Sequence, residues 1–358
     1  MMQYRFLIYI SYSYAIPIGK PLEAEIKKRG YEVFWFSSEK DGDRSIQKTS
    51  KKFNNIKDAL AYDPHIILTI SDTVPDFFKG LKVQAFHGFN AEKRNFNKDH
   101  FRIRGFFDLY CTQGPSTTSV FKKQQKKYKT FEVIETGWSK VDPLFPILKT
   151  EINRVPTIFI ASTFTERLSL AYNDSILEEV KRLSESGTFR FLMVLHPKIP
   201  EDVILKWKSI ENENFKYFDT TDLVPLMREA DAMFSDTTSA IQEFGLQDKL
   251  TVTFNHFVPK DFLINVRDVK EIEAALTIAL SRPKGYLDRL KNFNNALHPY
   301  TDGESSARVI NASIDFLHTD KTYFRQKPLN LVRKYKLRKR LGYFSSKSFS
   351  KPLTLPKK

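Results

Sequence analysis

Short apolar runs alternate with helix-length amphipathic stretches along this chain, and that alternation constrains the fold more than any other feature. Strands of a parallel sheet are covered on both faces and read as continuous apolar runs, while helices return the chain between them. In the first half the runs fall at Arg5–Ser11, Glu32–Phe36, Ile66–Ile70, Lys82–Phe86, Leu109–Thr112 and Phe131–Glu135, with helices expected at Lys20–Arg29 and Ile46–Ala61. The pattern restarts at Thr157–Ala161, Phe189–Leu195, Phe215–Phe218, Ala232–Ser235 and Thr251–Phe254. Helices are expected there at Ser175–Ser186, Leu223–Arg228, Ala240–Phe244 and Val269–Leu280. The stretch from Gly137 to Pro146, with Pro143 inside it and Pro156 beyond, reads as a linker. The expected division is residues 1–148 and 149–312 as two Rossmann-like units, followed by a basic extension over 313–358.

A chain of 358 residues can give each unit its own core. Cys111 is the only cysteine, which excludes an internal disulfide and a multi-cysteine metal site, and fits a reducing compartment. No run reaches the roughly 20 apolar residues of a membrane span. The Phe6–Tyr14 segment, studded with Tyr and Ser, reads as a first strand and not as a leader. Net charge is +15 and unevenly placed: 13 Lys or Arg and no acid lie in 321–358, leaving 44 basic against 42 acidic residues elsewhere.

Four polar patches carry the chemistry. His87 and Gly88 follow an apolar run, so His87 reads as a general base at a sheet tip or as a buried histidine bonded to backbone. His196, before Pro197, reads as a phosphate contact or as a strand end. Ser235-Asp236-Thr237-Thr238-Ser239 precedes a helix, where hydroxyls and unpaired amides suit an anion, although one of them could serve only as a cap. Glu243, one turn on, and Asp222, ahead of another helix, are nucleotide contacts or ordinary helix residues. Tyr300–Ser306 leads into a final helix at which Ser305 and Ser306 cap or bind phosphate. His65, His100, His256, His298 and His318 have weaker settings and read as structural or exposed. No metal-ligand spacing, Walker loop, GxGxxG or GxSxG is present, so no metal or cofactor is expected.

Taken in order, these patches resemble the CDP-glycerol glycerophosphotransferases, the family of teichoic acid primases and polymerases. The resemblance rests on His87-Gly88, His196-Pro197, Ser235–Ser239 and Asp302-Gly303-Glu304-Ser305-Ser306-Ala307-Arg308, with Thr221–Asp231 and Gly137–Leu144 also similar. It implies a GT-B-like α/β fold of two Rossmann-like domains with a cleft between them. It also implies transfer of a polyol phosphate from a CDP-linked donor such as CDP-glycerol to a glycan or lipid-linked acceptor. By position, His87 would be the base, with Gly88 giving backbone approach, and His196 would assist at the pyrophosphate. Ser235, Thr237, Thr238, Ser239, Ser305, Ser306 and Arg308 would bind donor phosphates, with Asp222 and Glu243 near the nucleotide.

Two other readings stand beside this one: a GT-B nucleotide-sugar glycosyltransferase of surface polysaccharide synthesis, and a non-catalytic basic RNA- or lipid-binding protein. The segment Leu329–Phe344 mixes apolar residues with Arg333, Lys334, Lys336, Arg338, Lys339 and Arg340. It suggests attachment of residues 321–358 to an anionic membrane surface, in preference to nucleic acid or a solvated end. The implied location is the cytoplasmic face of the plasma (inner) membrane.

Overall fold

The computed structural model describes residues 3–48, 50–89, 100–147 and 151–345. It divides into two units, each built on a six-stranded, wholly parallel sheet.

The first unit begins with β1 (Arg5–Ile10), α1 (Ile16–Lys28) and β2 (Glu32–Ser37). Pro17 sits in the first turn of α1, where its missing N–H costs nothing. Ile18, Leu22 and Ile26, each four residues apart, form its buried face. Gly30, at φ +74°, ends the helix by donating to the Lys27 carbonyl. Gly19 lies against Trp35 of β2, and a Cβ there would stand 2.4 Å from the indole, so this helix approach requires glycine.

The unit continues through α2 (Lys40–Ser45), α3 (Ile56–Ala61), β3 (Ile66–Thr69), β4 (Leu81–Gln84), β5 (Leu109–Thr112), α4 (Pro115–Tyr128) and β6 (Glu132–Glu135). The strand order is β2-β1-β3-β4-β5-β6. The order reverses between β1 and β3, and open α/β sheets bind ligands outside the carboxyl ends of the strands at such a reversal. The helix expected over Ile46–Ala61 is instead α3 alone. Trp35 N donates to the Lys51 carbonyl at 2.8 Å and Phe53 N to the Trp35 carbonyl at 2.9 Å, which draws residues 51–53 out alongside β2.

The second unit contains β7 (Thr157–Ser162), α5 (Asp174–Glu185), β8 (Arg190–Leu195), α6 (Glu201–Lys208), β9 (Phe215–Tyr217), α7 (Val224–Glu229), β10 (Ala232–Ser235), α8 (Ala240–Gly245), β11 (Thr251–Phe254), β12 (Ile264–Val266) and α9 (Ile272–Leu280). The helix α10 (Lys284–Leu297) closes it. Its sheet runs β12-β11-β10-β7-β8-β9, the Rossmann order, with the reversal between β7 and β10. The three-residue edge strand β12 had no counterpart in the sequence reading.

The chain then rejoins the first unit, which comprises Met1–Pro143 and Leu297–Lys358. This corrects the expected boundaries at 148 and 312: residues 297–312 belong to the first unit, and the described residues 313–345 are no separate extension. The reason is packing. The helix α11 (Ser305–His318) buries Val309, Ile310, Phe316 and Leu317 and packs on α1, β3, β4 and β5. A last helix, α12 (Leu331–Leu341), sends Leu337 into the aromatic core around Tyr9, Phe77, Phe78 and Phe107. Full burial of each such side chain contributes roughly 1.5–3 kcal/mol.

Candidate active site

The reversal point of the first sheet gathers polar groups from three strand ends. After β1 come Ser11 and Tyr14, after β3 Ser71 and Asp72, and after β4 His87. Ser11 Oγ lies 2.9 Å from both Ser71 Oγ and Ser38 Oγ, so hydroxyls tie the base of this edge together. The chain leaves β4 through Phe86, a non-glycine residue at φ +56°. A side chain in that region costs of order 1 kcal/mol and persists where its surroundings impose it. Here Trp138 Nε1 donates to the Phe86 carbonyl at 3.3 Å, and the Phe86 ring stacks on His100 at 4.9 Å.

The next residue, His87, keeps 40% of its side chain exposed. Its Nδ1 stands 3.6 Å from Asp72 Oδ1, an electrostatic contact longer than a hydrogen bond. Arg104 Nη2 holds the other oxygen of Asp72 at 2.8 Å. The Tyr14 ring lies 6.0 Å from the His87 ring. Beside them is a small hollow, lined also by His100 and Arg102. Gly88 does not need glycine for its own backbone: its φ is not left-handed, and no described atom lies within 4 Å of where a Cβ would be.

The second sheet treats its polar patch differently. Asp236 has no exposure, and its carboxylate accepts from Thr163 N (3.0 Å), Leu170 N (3.0 Å) and the Ser162 hydroxyl. It staples the loops after β7 across the sheet's reversal point. Ser235 is equally buried and donates to the Ala161 carbonyl at 2.5 Å, which removes it as an accessible phosphate donor. Thr237 is 5% exposed, and its hydroxyl accepts from Phe257 N at 3.1 Å. Thr238 and Ser239 are the half-buried members of the run, with Thr238 Oγ1 accepting from Ala240 N at 3.4 Å. Glu243 is buried at 3% exposure, inside the unit and not on its surface. Asp222 is exposed and accepts from Val224 N at 3.2 Å, the capping alternative.

His196, after β8, is half-buried, and its Nδ1 accepts from Lys198 N at 3.1 Å, which places the proton of a neutral ring on Nε2. Phe164, 39% exposed, lies 4.6 Å from that ring with Lys198 Nζ 5.0 Å above its own face. Phe164, Lys198, His196, Thr238 and Ser239 therefore share the carboxyl edge of one sheet.

Ser305, Ser306 and Arg308, expected beside the donor-binding patch of 149–312, lie in the first unit. The unpaired amides that open α11 already hold an anion: Ser305 N and Ser306 N donate to the Asp142 carboxylate at 2.9 and 2.7 Å, and Ser306 Oγ does so at 2.6 Å. Asp142 is 7% exposed, and its burial pushes the carboxyl above the usual range against the pull of these bonds. Arg308 pairs with Asp302 (2.8 Å), donates to the Thr136 carbonyl and covers the Tyr300 ring at 4.0 Å. These residues build the C-terminal return of the chain.

With the geometry in place, known structures supply a frame. The chain superposes on the wall teichoic acid polymerase TagF with a TM-score of 0.63 at 13% identity, covering 88% of both chains. A histidine-substituted form of TagF soaked with CDPG matches with a TM-score of 0.62 at 13% identity, over 87% of this chain and 88% of that one. A UDP-N-acetylglucosamine 2-epimerase matches with a TM-score of 0.58 at 14% identity, over 92% of this chain and 99% of that one. The chain has a GT-B-like fold of two Rossmann-like units. No protein-family model matches the sequence, and no curated protein does.

Sequence reasoning missed Asp72, Arg104, Tyr14 and Phe164, none of which stands in a motif; it set His100 aside and gave Asp142, inside Gly137–Leu144, no role of its own. Asp72 follows an apolar run, a signal that strand-end reasoning could have used.

Proposed function

We propose that this chain is a transferase that moves glycerol phosphate, or a related polyol phosphate, from a CDP-linked donor to a hydroxyl of a lipid-linked or capsular cell-surface glycan, releasing CMP. One observation carries the reading: an exposed imidazole, His87, sits at the reversal point of the first sheet beside Asp72, which Arg104 holds. A carboxylate beside a histidine stabilises the imidazolium that forms when it accepts a proton.

In this reaction His87 takes the proton of the acceptor hydroxyl as its oxygen bonds to the polyol-side phosphorus. The bond from that phosphorus to the bridging oxygen breaks, and CMP departs with that oxygen and the electron pair. His196 and Lys198 meet the negative charge of the leaving phosphate, Thr238 and Ser239 bond phosphate oxygens, and Asp222 serves the nucleotide. Ser235, Ser305, Ser306 and Arg308 have no part in it, since the protein's own groups occupy their donors. The shared fold with TagF, one form of which was soaked with CDPG, supports a nucleotide-linked donor in cell-surface polymer synthesis.

A second reading, nucleotide-sugar chemistry, draws on the fold shared with an epimerase of UDP-N-acetylglucosamine. The test is nucleotide release from CDP-glycerol against a panel of UDP- and CMP-sugars with glycan acceptors. Release of CMP from CDP-glycerol alone is the expected result. Turnover of a UDP-sugar alone would move the protein to the second reading, and a His87→Ala enzyme at full speed would remove the proposed base.

A further inference from the structure

The helix α12 is fixed to the first unit by one face and displays a second one. Leu337 is buried in the core, and Arg338 pairs with Asp76 at 2.7 Å, both side chains being less than a tenth exposed. Tyr343 packs on Phe77 at 4.5 Å. Just ahead of the helix, Asn330 Nδ2 donates to the Arg104 carbonyl at 2.6 Å. On the opposite side Leu331 is 67%, Val332 69% and Tyr335 57% exposed. At about 100° per residue these three share one side of the helix. Leu329 (66%) and Phe344 (59%) extend the patch at its two ends, and Phe344 lies 6.1 Å from the Tyr335 ring. Lys336 and Lys339 are exposed around it, while Arg340 pairs with Glu39 at 3.0 Å, and no acidic residue occurs between 321 and 358.

We propose that this outer face of α12 lays the first unit on an anionic lipid surface. The apolar side chains enter the boundary between headgroups and acyl chains, and the surrounding bases meet the anionic headgroups. The composition separates this from nucleic-acid binding. A phosphate backbone is met by cations and bases stack on aromatic rings, whereas exposed Leu331 and Val332 gain nothing there. It also separates it from membrane spanning, because no described helix is long and apolar enough to cross a bilayer. Docking through α12 has a directional consequence. Asn330 holds the Arg104 backbone, and Arg104 holds Asp72 beside His87, so the lipid-facing helix and the candidate base belong to one connected neighbourhood of the first unit. The docking itself is independent of the transfer reaction proposed above.

The experiment is co-sedimentation of the full chain with vesicles of phosphatidylcholine alone and of an equimolar phosphatidylcholine and phosphatidylglycerol mixture. Binding is expected to the mixture only. Lys336→Gln with Lys339→Gln should weaken it about thirtyfold, and Leu331→Ser, Val332→Ser and Tyr335→Ser together at least about tenfold. Leu205→Ser, which alters an equally exposed leucine of the second unit, should change nothing. All these side chains are exposed, so unchanged melting temperatures confirm that the variants fold.

Equal binding to both vesicle types, or no effect of the triple substitution, would overturn the proposal. So would a uridine oligonucleotide bound more tightly than the anionic vesicles. A wild-type dimer in sedimentation velocity that the triple substitution makes monomeric would reassign the face to a second copy of the chain.

Discussion

The carboxyl edges of the two sheets use similar residues for opposite purposes. In the first, His87 and Asp72 are each about 40% exposed and stand on a base of buried serines. In the second, Ser235 and Asp236 are wholly buried, and of the Ser235–Ser239 run Thr238 and Ser239 remain within reach. A polar residue after a strand is therefore accessible chemistry in one sheet and internal carpentry in the other. What decides is whether the hydrogen-bonding capacity is already taken by the chain. Asp142 teaches the same lesson, filling the helix start where a phosphate was expected.

Variants can break this contrast. His87→Ala should lower CMP release from CDP-glycerol about a thousandfold with the melting temperature unchanged, since a general base contributes typically 10²–10⁴. Asp236→Ala should do the reverse and cost about 4 kcal/mol in denaturant unfolding, because it orphans two buried amides and a hydroxyl. If the Asp236→Ala protein kept its stability and lost only turnover, the assignment of the two edges would be inverted.

Buried and exposed histidines within the first unit sharpen the point. His298 is 2% exposed and its Nε2 accepts from Trp138 N at 3.0 Å, so burial pushes its ring down from 6.5 to about 4. The unfolded chain then takes up the proton first. Stability should be intact above pH 6.5 and fall by about 3 kcal/mol as pH drops to 4. His298→Gln should flatten that slope in urea melts at successive pH values.

Smaller effects follow. Asp72→Asn should slow turnover about tenfold with the donor KM unchanged, as expected for a group that acts through His87. Thr238→Ala and Ser239→Ala should each weaken CMP binding about threefold to tenfold by calorimetry. Ser235→Ala should leave CMP binding alone and cost about 1 kcal/mol of stability.

Much of this architecture was legible in the sequence. The apolar runs located eleven of the twelve strands among the described residues, because burial on both faces of a parallel sheet leaves a continuous signal. β12, three residues long at a sheet edge, is too short to leave one. The helix α4 escaped notice because its inward face is carried by Thr117, Thr118 and Phe121 in an otherwise Lys- and Gln-rich stretch. Motif order brought attention to His87 and His196, yet it could not separate Ser235 from Ser239, since their difference is burial. Asp72 and Arg104 lie far from His87 along the chain and meet it only through the strand order.

The return of residues 297–358 to the first unit has a consequence for synthesis. Its opening strands leave the ribosome well before α11 and α12, which follow the whole of 144–296. At roughly 5–20 residues per second, the partial first sheet waits about ten to thirty seconds without the helix that covers β3, β4 and β5. The second unit, uninterrupted in the chain, can complete itself during that interval. The N-terminal half of this protein is thus the last to be finished, and its bare strands are the surface a nascent-chain chaperone would meet.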